Sequence, residues 1–136
     1  NELAKHTQIL WSPNMSLGIN LLIKLARQAA AKLGEHVDIS IHESHHRHKK
    51  DSPSGTALLL GQNIEEVNKS KIQYTSIRAG DIVGEHTVML ANLGERIELT
   101  HKASDRSIFA HGAFEAAYWL VNQKIGKLYK MADFLE

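Results

Sequence analysis

The chain has 136 residues, 43% of them hydrophobic and 23% charged, which is ordinary usage for one globular domain with a real core and excludes a disordered tail. Sixteen Lys and Arg against fifteen Asp and Glu leave a net charge of +1, too balanced for a protein that coats nucleic acid or anionic lipid, and no apolar run approaches the ~20 residues of a membrane helix. The absence of cysteine excludes disulfides, thiolate zinc sites and thiol catalysis; a reducing, cytoplasmic location is the expectation.

Asn1 stands where a start methionine would, with no signal-peptide pattern after it, so the chain reads as a cut within a longer protein. Thr7 to Ser12 reads as a short buried strand ended by the turn chemistry of Ser12-Pro13-Asn14-Met15-Ser16. A helix follows: Ile19, Leu22, Leu25, Ala26, Ala29 and Leu33 recur at helical spacing, Asn14 or Ser16 can cap its start, and Gly34 stops it. Val37, Ile39 and Ile41 alternate with Asp38, Ser40 and His42, the period of a strand, which carries His45 on the apolar face and His46 on the polar one.

After a polar stretch, Pro53-Ser54-Gly55-Thr56 opens a second amphipathic helix marked by Ala57, Leu60, Ile64 and Val67. Three strands are predicted over Ile72 to Ala79, Glu85 to Asn92 and Arg96 to Ala103, the last two joined in a hairpin at Leu93-Gly94. A third helix is expected from Ser104 or Asp105 to about Gly126, burying Phe109, Ala113, Ala116, Ala117 and Leu120, before an apolar tail from Leu128 to Leu135 that packs on something. This order predicts an α+β fold: a mixed sheet of about four strands with helices mainly on one face. The strand with Thr87, Met89, Ala91 and Leu93 on one side and Val88 and Leu90 on the other is apolar on both, so the other sheet face is expected to be used for oligomerisation.

Four of the nine histidines lie between His42 and His48, just ahead of Lys49, Lys50, Asp51 and the helix that opens with Ser54, Gly55 and Thr56. A helix start offers unpaired N–H groups and the positive end of its dipole, Gly55 permits close approach, and Thr56 adds a hydroxyl, so a carboxylate or phosphate fits there. Lys49 and His46 would meet a second anionic group, which suits a small dianion. His45, on the apolar face, is placed to be a partly desolvated proton donor near neutral pH. Other readings of the same residues stay open: a solvated His/Lys cluster, Ser54 and Thr56 as helix caps alone, a zinc site on His42, His45, His46 and His48 with Asp51 or Glu43, or a nucleic-acid patch.

From Glu43 to Ala57 the order Glu-Ser-His-His-Arg-His-Lys-Lys-Asp-Ser-Pro-Ser-Gly-Thr-Ala closely resembles the signature of dihydrodipicolinate reductase, an enzyme of the diaminopimelate route to lysine. Ser12-Pro-Asn-Met-Ser-Leu-Gly-Ile-Asn, Arg78-Ala-Gly-Asp-Ile-Val-Gly-Glu-His, Gly94-Glu-Arg and Leu99-Thr-His-Lys-Ala-Ser are similar to further segments of that family. The resemblance is to its C-terminal, substrate-binding and tetramer-forming half.

It implies an enzyme: NADPH or NADH delivers hydride to a dihydrodipicolinate-type ring, and an acid supplies the proton that completes tetrahydrodipicolinate. It further implies His45 as that acid, Lys49 as its catalytic partner, and His46, Ser54, Gly55 and Thr56 as groups that bind the substrate carboxylates. Ser12, Asn14 and Met15 match the loop beneath the nicotinamide, and no metal is implied. The expected division is a remnant of the nucleotide-binding domain at 1–14, a substrate-binding and tetramerisation domain at 15–125, and a tail at 126–136 packing toward the nucleotide side. Expected partners are a small dicarboxylate and three further copies in a homotetramer, with neither nucleic acid nor membrane. Two departures stand out: no two glycines are two residues apart, so the Rossmann glycine fingerprint is absent and with it most of the cofactor site, and the segment between Asn68 and Tyr74 is shorter than in the family. Without the cofactor, the alternative is a non-catalytic dicarboxylate- or metal-binding oligomerisation module.

Overall fold

The computed structural model describes residues 2–136, which form two compact units, one of residues 2–21 with 106–136 and one of residues 22–105. In chain order the elements are β1 (Ile9–Leu10), α1 (Leu17–Leu33), β2 (Asp38–His45), α2 (Gly55–Glu65), β3 (Ile72–Arg78), β4 (Gly84–Asn92), β5 (Glu95–Ala103), α3 (Ser107–Leu120), β6 (Leu128–Tyr129) and α4 (Met131–Phe134), preceded by a short 3₁₀ turn at Leu3–Lys5.

The unit of residues 22–105 is built on a four-stranded sheet in the order β3-β2-β4-β5. Strands β2 and β3 are parallel and joined through α2, whereas β4 runs antiparallel to both β2 and β5. The expected mixed α+β sheet is therefore present. Its register sets Ile39 opposite Leu90 and Ile41 opposite Val88, and these side chains meet Leu22, Ala26 and Ala30 of α1 and Ala57, Leu60 and Ile64 of α2 in one core. Burial of these aliphatic groups contributes roughly 1.5–3 kcal/mol for each large side chain and is the main force holding the helices to the sheet. On the opposite face Thr87, Met89 and Ala91 are half-buried, and Thr87 and Thr100 share a hydroxyl hydrogen bond of 2.9 Å across β4 and β5.

The connection from α2 to β3 is short and closed. Asn68 is fully buried; its amide donates to the carbonyls of Ala30 (2.9 Å) and Gly34 (2.7 Å) at the end of α1, and its oxygen accepts from the Ser70 N–H (2.8 Å). One side chain thus satisfies two carbonyls that a helix end leaves unpaired. Gly34 adopts the left-handed conformation, φ 74°, that ends α1 where the sequence predicts.

The other unit holds the parallel pair β1-β6, with Ile9 opposite Leu128 and Leu10 opposite Tyr129. Trp119 of α3 packs edge-on against Tyr129 and Phe134, and Gly112 of α3 passes so close to the Met15 carbonyl that a Cβ would sit 1.8 Å from it. Ser16 caps α1 by accepting from the Ile19 N–H at 3.2 Å.

Several details differ from the periodicity reading. Only Ile9 and Leu10 of the first predicted strand pair, because β6 offers a two-residue partner. Leu25 of α1 is exposed, and Ala30 takes its place in the buried stripe. Leu93 lies in the hairpin turn beside Gly94 (φ 85°), not on β4. Helix α3 ends at Leu120, not near Gly126: the Asn122 and Gln123 N–H groups bond three residues back to Trp119 and Leu120, which tightens the last turn, and the Gly126 N–H then bonds the Ala4 carbonyl. Phe109 and Ala117, expected inside, are exposed.

Replacing Asn68 with Ala removes the side-chain donor of the Ala30 and Gly34 carbonyls. Equilibrium denaturation is expected to show a loss of about 1–3 kcal/mol with an unchanged denaturant slope.

Candidate active site

Strand β2 carries two polar side chains on its core face past the aliphatic zone, Glu43 and His45, continuing the alternation of Ile39 and Ile41. Only 2% of Glu43 and 8% of His45 are exposed. Desolvation pushes a buried carboxyl toward its neutral form, so ionisation here requires compensation. The compensation is local and multiple. Arg78, at the end of β3, donates to Glu43 through Nη1 to Oε2 (2.8 Å) and Nη2 to Oε1 (2.7 Å), a forked pair. The backbone N–H of Ser54 donates to Glu43 Oε1 at 3.2 Å, and the His45 ring meets Oε2 through Nδ1 at 2.5 Å. Burial raises the Glu43 pKa, but hydrogen bonds from Arg78, Ser76 and His45 outweigh it and hold the carboxyl at about 2.

The His45 ring is caught between opposing effects. Burial lowers its pKa, the Glu43 carboxylate raises it, Lys49 and Arg78 lower it, and the net displacement is below the ordinary imidazole value. Its Nε2 edge faces the backbone of Gly84, where an added Cβ would lie 3.1 Å away. His86 of β4, opposite Glu43 in register, stands edge-on to His45 with ring centroids 5.0 Å apart. Burial, then the charge of His45, depresses the His86 pKa to about 4. Its Nε2 lies 3.2 Å from the Ser54 hydroxyl, while its Nδ1 is buried with no hydrogen-bond partner.

Ser54 joins this cluster to α2. Its hydroxyl accepts from the Ala57 N–H at 3.2 Å, so it is the N-cap, with Gly55 and Thr56 in the first turn. Ahead of it Lys49 Nζ meets Asp51 Oδ1 at 2.8 Å. The Asp51 carboxyl is held below its usual range by the hydrogen bond from Lys49, so a carboxylate already engages the lysine just ahead of the helix start. His46 is half-buried at the start of the loop, and its carbonyl accepts from the Lys49 N–H at 3.1 Å. Backbone bonds from Ala79 N–H to His45 O and from Arg47 N–H to Gly80 O tie the loops that follow β2 and β3 together.

The structure thus gathers His45, His46, Lys49, Ser54, Gly55 and Thr56 at one end of the sheet. Ser12, Asn14 and Met15 belong to the other unit, in the turn before α1, where the Ser12 hydroxyl donates to the Asn14 carbonyl (2.8 Å) and the Asn14 side chain accepts from the Ser16 N–H (2.9 Å). His42 points to the opposite face of β2 from His45 and bonds Ser40 at 3.0 Å, and among the described residues no group of three or more potential ligands is placed to hold a metal. Sequence reasoning gave no role in acid chemistry to Glu43, Arg78 or His86. The available signal was strand alternation: Glu43 and His86 fall on positions otherwise aliphatic, where a charge needs a partner.

The sequence profile of the dihydrodipicolinate reductase C-terminus matches residues 18–135. The chain belongs to the dihydrodipicolinate reductase family. A solved structure described as dipicolinate-bound dihydrodipicolinate reductase from Paenisporosarcina sp. TG-14 is similar over 95% of this chain and 56% of its own, with a TM-score of 0.82 and 25% identity. The chain therefore spans a little over half the length of that relative. The family comprises NAD(P)H-using oxidoreductases of diaminopimelate and lysine biosynthesis. Among the described residues no helix is long and apolar enough to cross a membrane.

The shifted groups make stability depend on pH. Between its unfolded value of 6.5 and its folded value of about 4, His86 takes up a proton only on unfolding, so stability falls as pH drops through that window; His45 and His101 are displaced the same way. Glu43 continues the loss from its unfolded 4.5 down to about 2. Urea titrations across the range are expected to show both stages, and His86→Gln should flatten the upper one.

Proposed function

We propose that this chain is the substrate-binding and proton-donating part of a 4-hydroxy-tetrahydrodipicolinate reductase. The observation that carries the reading is the Asp51 carboxylate seated on Lys49 at 2.8 Å just ahead of the first turn of α2, within the loop that joins the buried His45–Glu43 pair to that helix. A substrate carboxylate presents the same chemistry and takes over that lysine, with Thr56 and His46 beside it and the positive end of α2 behind it. The flat ring then lies against the His45 edge.

Reduction of a dihydrodipicolinate-type ring, the form left once a 4-hydroxylated substrate has lost water, adds a hydride and a proton across one double bond. NADPH or NADH supplies the hydride when bound. His45, protonated, gives its proton to the ring, and Lys49 neutralises negative charge that develops there. The dipicolinate carried by the similar structure supports a small pyridine-type dicarboxylate as ligand. Ser12, Asn14 and Met15 are the residues of this chain proposed to meet the nicotinamide, their turn held by internal hydrogen bonds. The 136 residues contain no pair of glycines spaced for a pyrophosphate cradle, so they do not by themselves bind the dinucleotide.

The segments 1–14 and 126–136 are assigned to the nucleotide-binding side, a reading supported by the pairing of β1 with β6, and residues 15–125 to substrate binding and tetramer formation. The half-buried Thr87, Met89 and Ala91 support the open face of the sheet as the surface joining four copies. A cytoplasmic location completes the reading.

His45 is held below its ordinary pKa, so at neutral pH a bound dianion must draw a proton onto it. Calorimetry of the 136-residue chain with pyridine-2,6-dicarboxylate is expected to show binding with proton uptake, detected as a heat that varies with buffer, and an affinity that weakens from about pH 6 to 8. Lys49→Ala should weaken binding about tenfold or more. No binding, or equal binding by a His46→Ala, Lys49→Ala double variant, overturns the assignment.

A further inference from the structure

A histidine that donates a proton needs one nitrogen aimed at the substrate and the other held, because a ring free to rotate or to exchange tautomers presents the wrong atom part of the time. His45 has such a holder. Glu43 is an ionised carboxylate and can only accept hydrogen bonds, so the 2.5 Å contact with His45 Nδ1 requires the proton on Nδ1. Nε2 is left as the atom that gains and loses a proton, and it faces Gly84, where the missing side chain leaves the ring edge uncrowded.

Glu43 is itself immobilised by three hydrogen bonds, two from the forked Arg78 pair and one from the Ser54 N–H. Arg78 is anchored in turn by donation to the Asp51 carbonyl at 2.7 Å and the Ile77 carbonyl at 2.8 Å.

The geometry points to Glu43 as a positioning residue, held by Arg78, that fixes the tautomer and orientation of His45 so that Nε2 is the single proton-exchanging atom of the site. The inference rests on the reading of His45 as proton donor, but its geometry is independent of any ligand. The charged and titratable groups around His45 are Glu43 on its own strand, Arg78 from β3, His86 from β4 and Lys49 from the loop. Of these Glu43 is the anion, so its removal acts in one direction on the ring: the protonated form loses its counter-charge.

The test uses ¹⁵N-labelled 136-residue chain with no ligand. In the wild type the neutral His45 ring is expected to carry its proton on Nδ1 alone, and the Glu43→Gln variant should titrate His45 at lower pH than wild type. A wild-type His45 ring protonated on Nε2, or an unmoved His45 midpoint in a folded Glu43→Gln variant, overturns the proposal. The wild-type tautomer decides the question should that variant fail to fold. Dicarboxylate calorimetry separates the two readings: absent binding with an Nδ1-protonated ring refutes the proposed function and leaves the positioning geometry standing, whereas binding with an Nε2-protonated ring does the reverse.

Discussion

A carboxylate taken out of water remains an anion only where cations and N–H donors replace its hydration, and Glu43 meets that demand by drawing three parts of the chain to one point. Arg78 comes from the end of β3, Ser54 from the start of α2, and His45 from two residues further along β2. Removing any of these partners leaves charge in a nearly dry place. The end of the sheet and the start of α2 are therefore held together by electrostatics where the aliphatic core stops, and the polar cluster is an extension of the fold's interior as much as a site.

The same contacts place the two proposed tasks, anion binding and proton donation, side by side. Ser54 is the shared part: its N–H serves Glu43, its hydroxyl caps α2 and touches His86, and the residues after it form the first turn. A shift of α2 that improved anion binding would pull on Glu43 and thereby on His45. The proposed binding and proton donation would thus be coupled through a few hydrogen bonds in a low-dielectric environment, where such bonds are strong. Family membership sets this arrangement among NAD(P)H-using reductases, in which a proton must arrive beside a hydride.

His86 marks the cost of the arrangement. It sits on a core position of β4, is neutral at ordinary pH, and leaves Nδ1 buried without a partner. An aliphatic residue there would pack without penalty. Its presence belongs to the polar cluster and not to the hydrophobic core, and it makes the folded state acid-sensitive.

Periodicity alone determined the elements of the sheet unit, the one-sided placement of α1 and α2, and the position of His45 on the buried face of β2, because side-chain alternation and helical spacing are local properties of the chain. The motif from Glu43 to Ala57 likewise marked Lys49, Ser54, Gly55 and Thr56 as one neighbourhood, since a loop leading into a helix start keeps them close. The partners of Glu43 were not legible: Arg78 and His86 lie 35 and 43 positions further along and reach it only through the registers that set His45 opposite Arg78 and Glu43 opposite His86. The ends of α3 and the brevity of β1 were equally hidden, because they follow from which backbone groups find partners elsewhere in the chain. Local pattern decides which face a residue occupies; only the folded register decides what charge stands across from it.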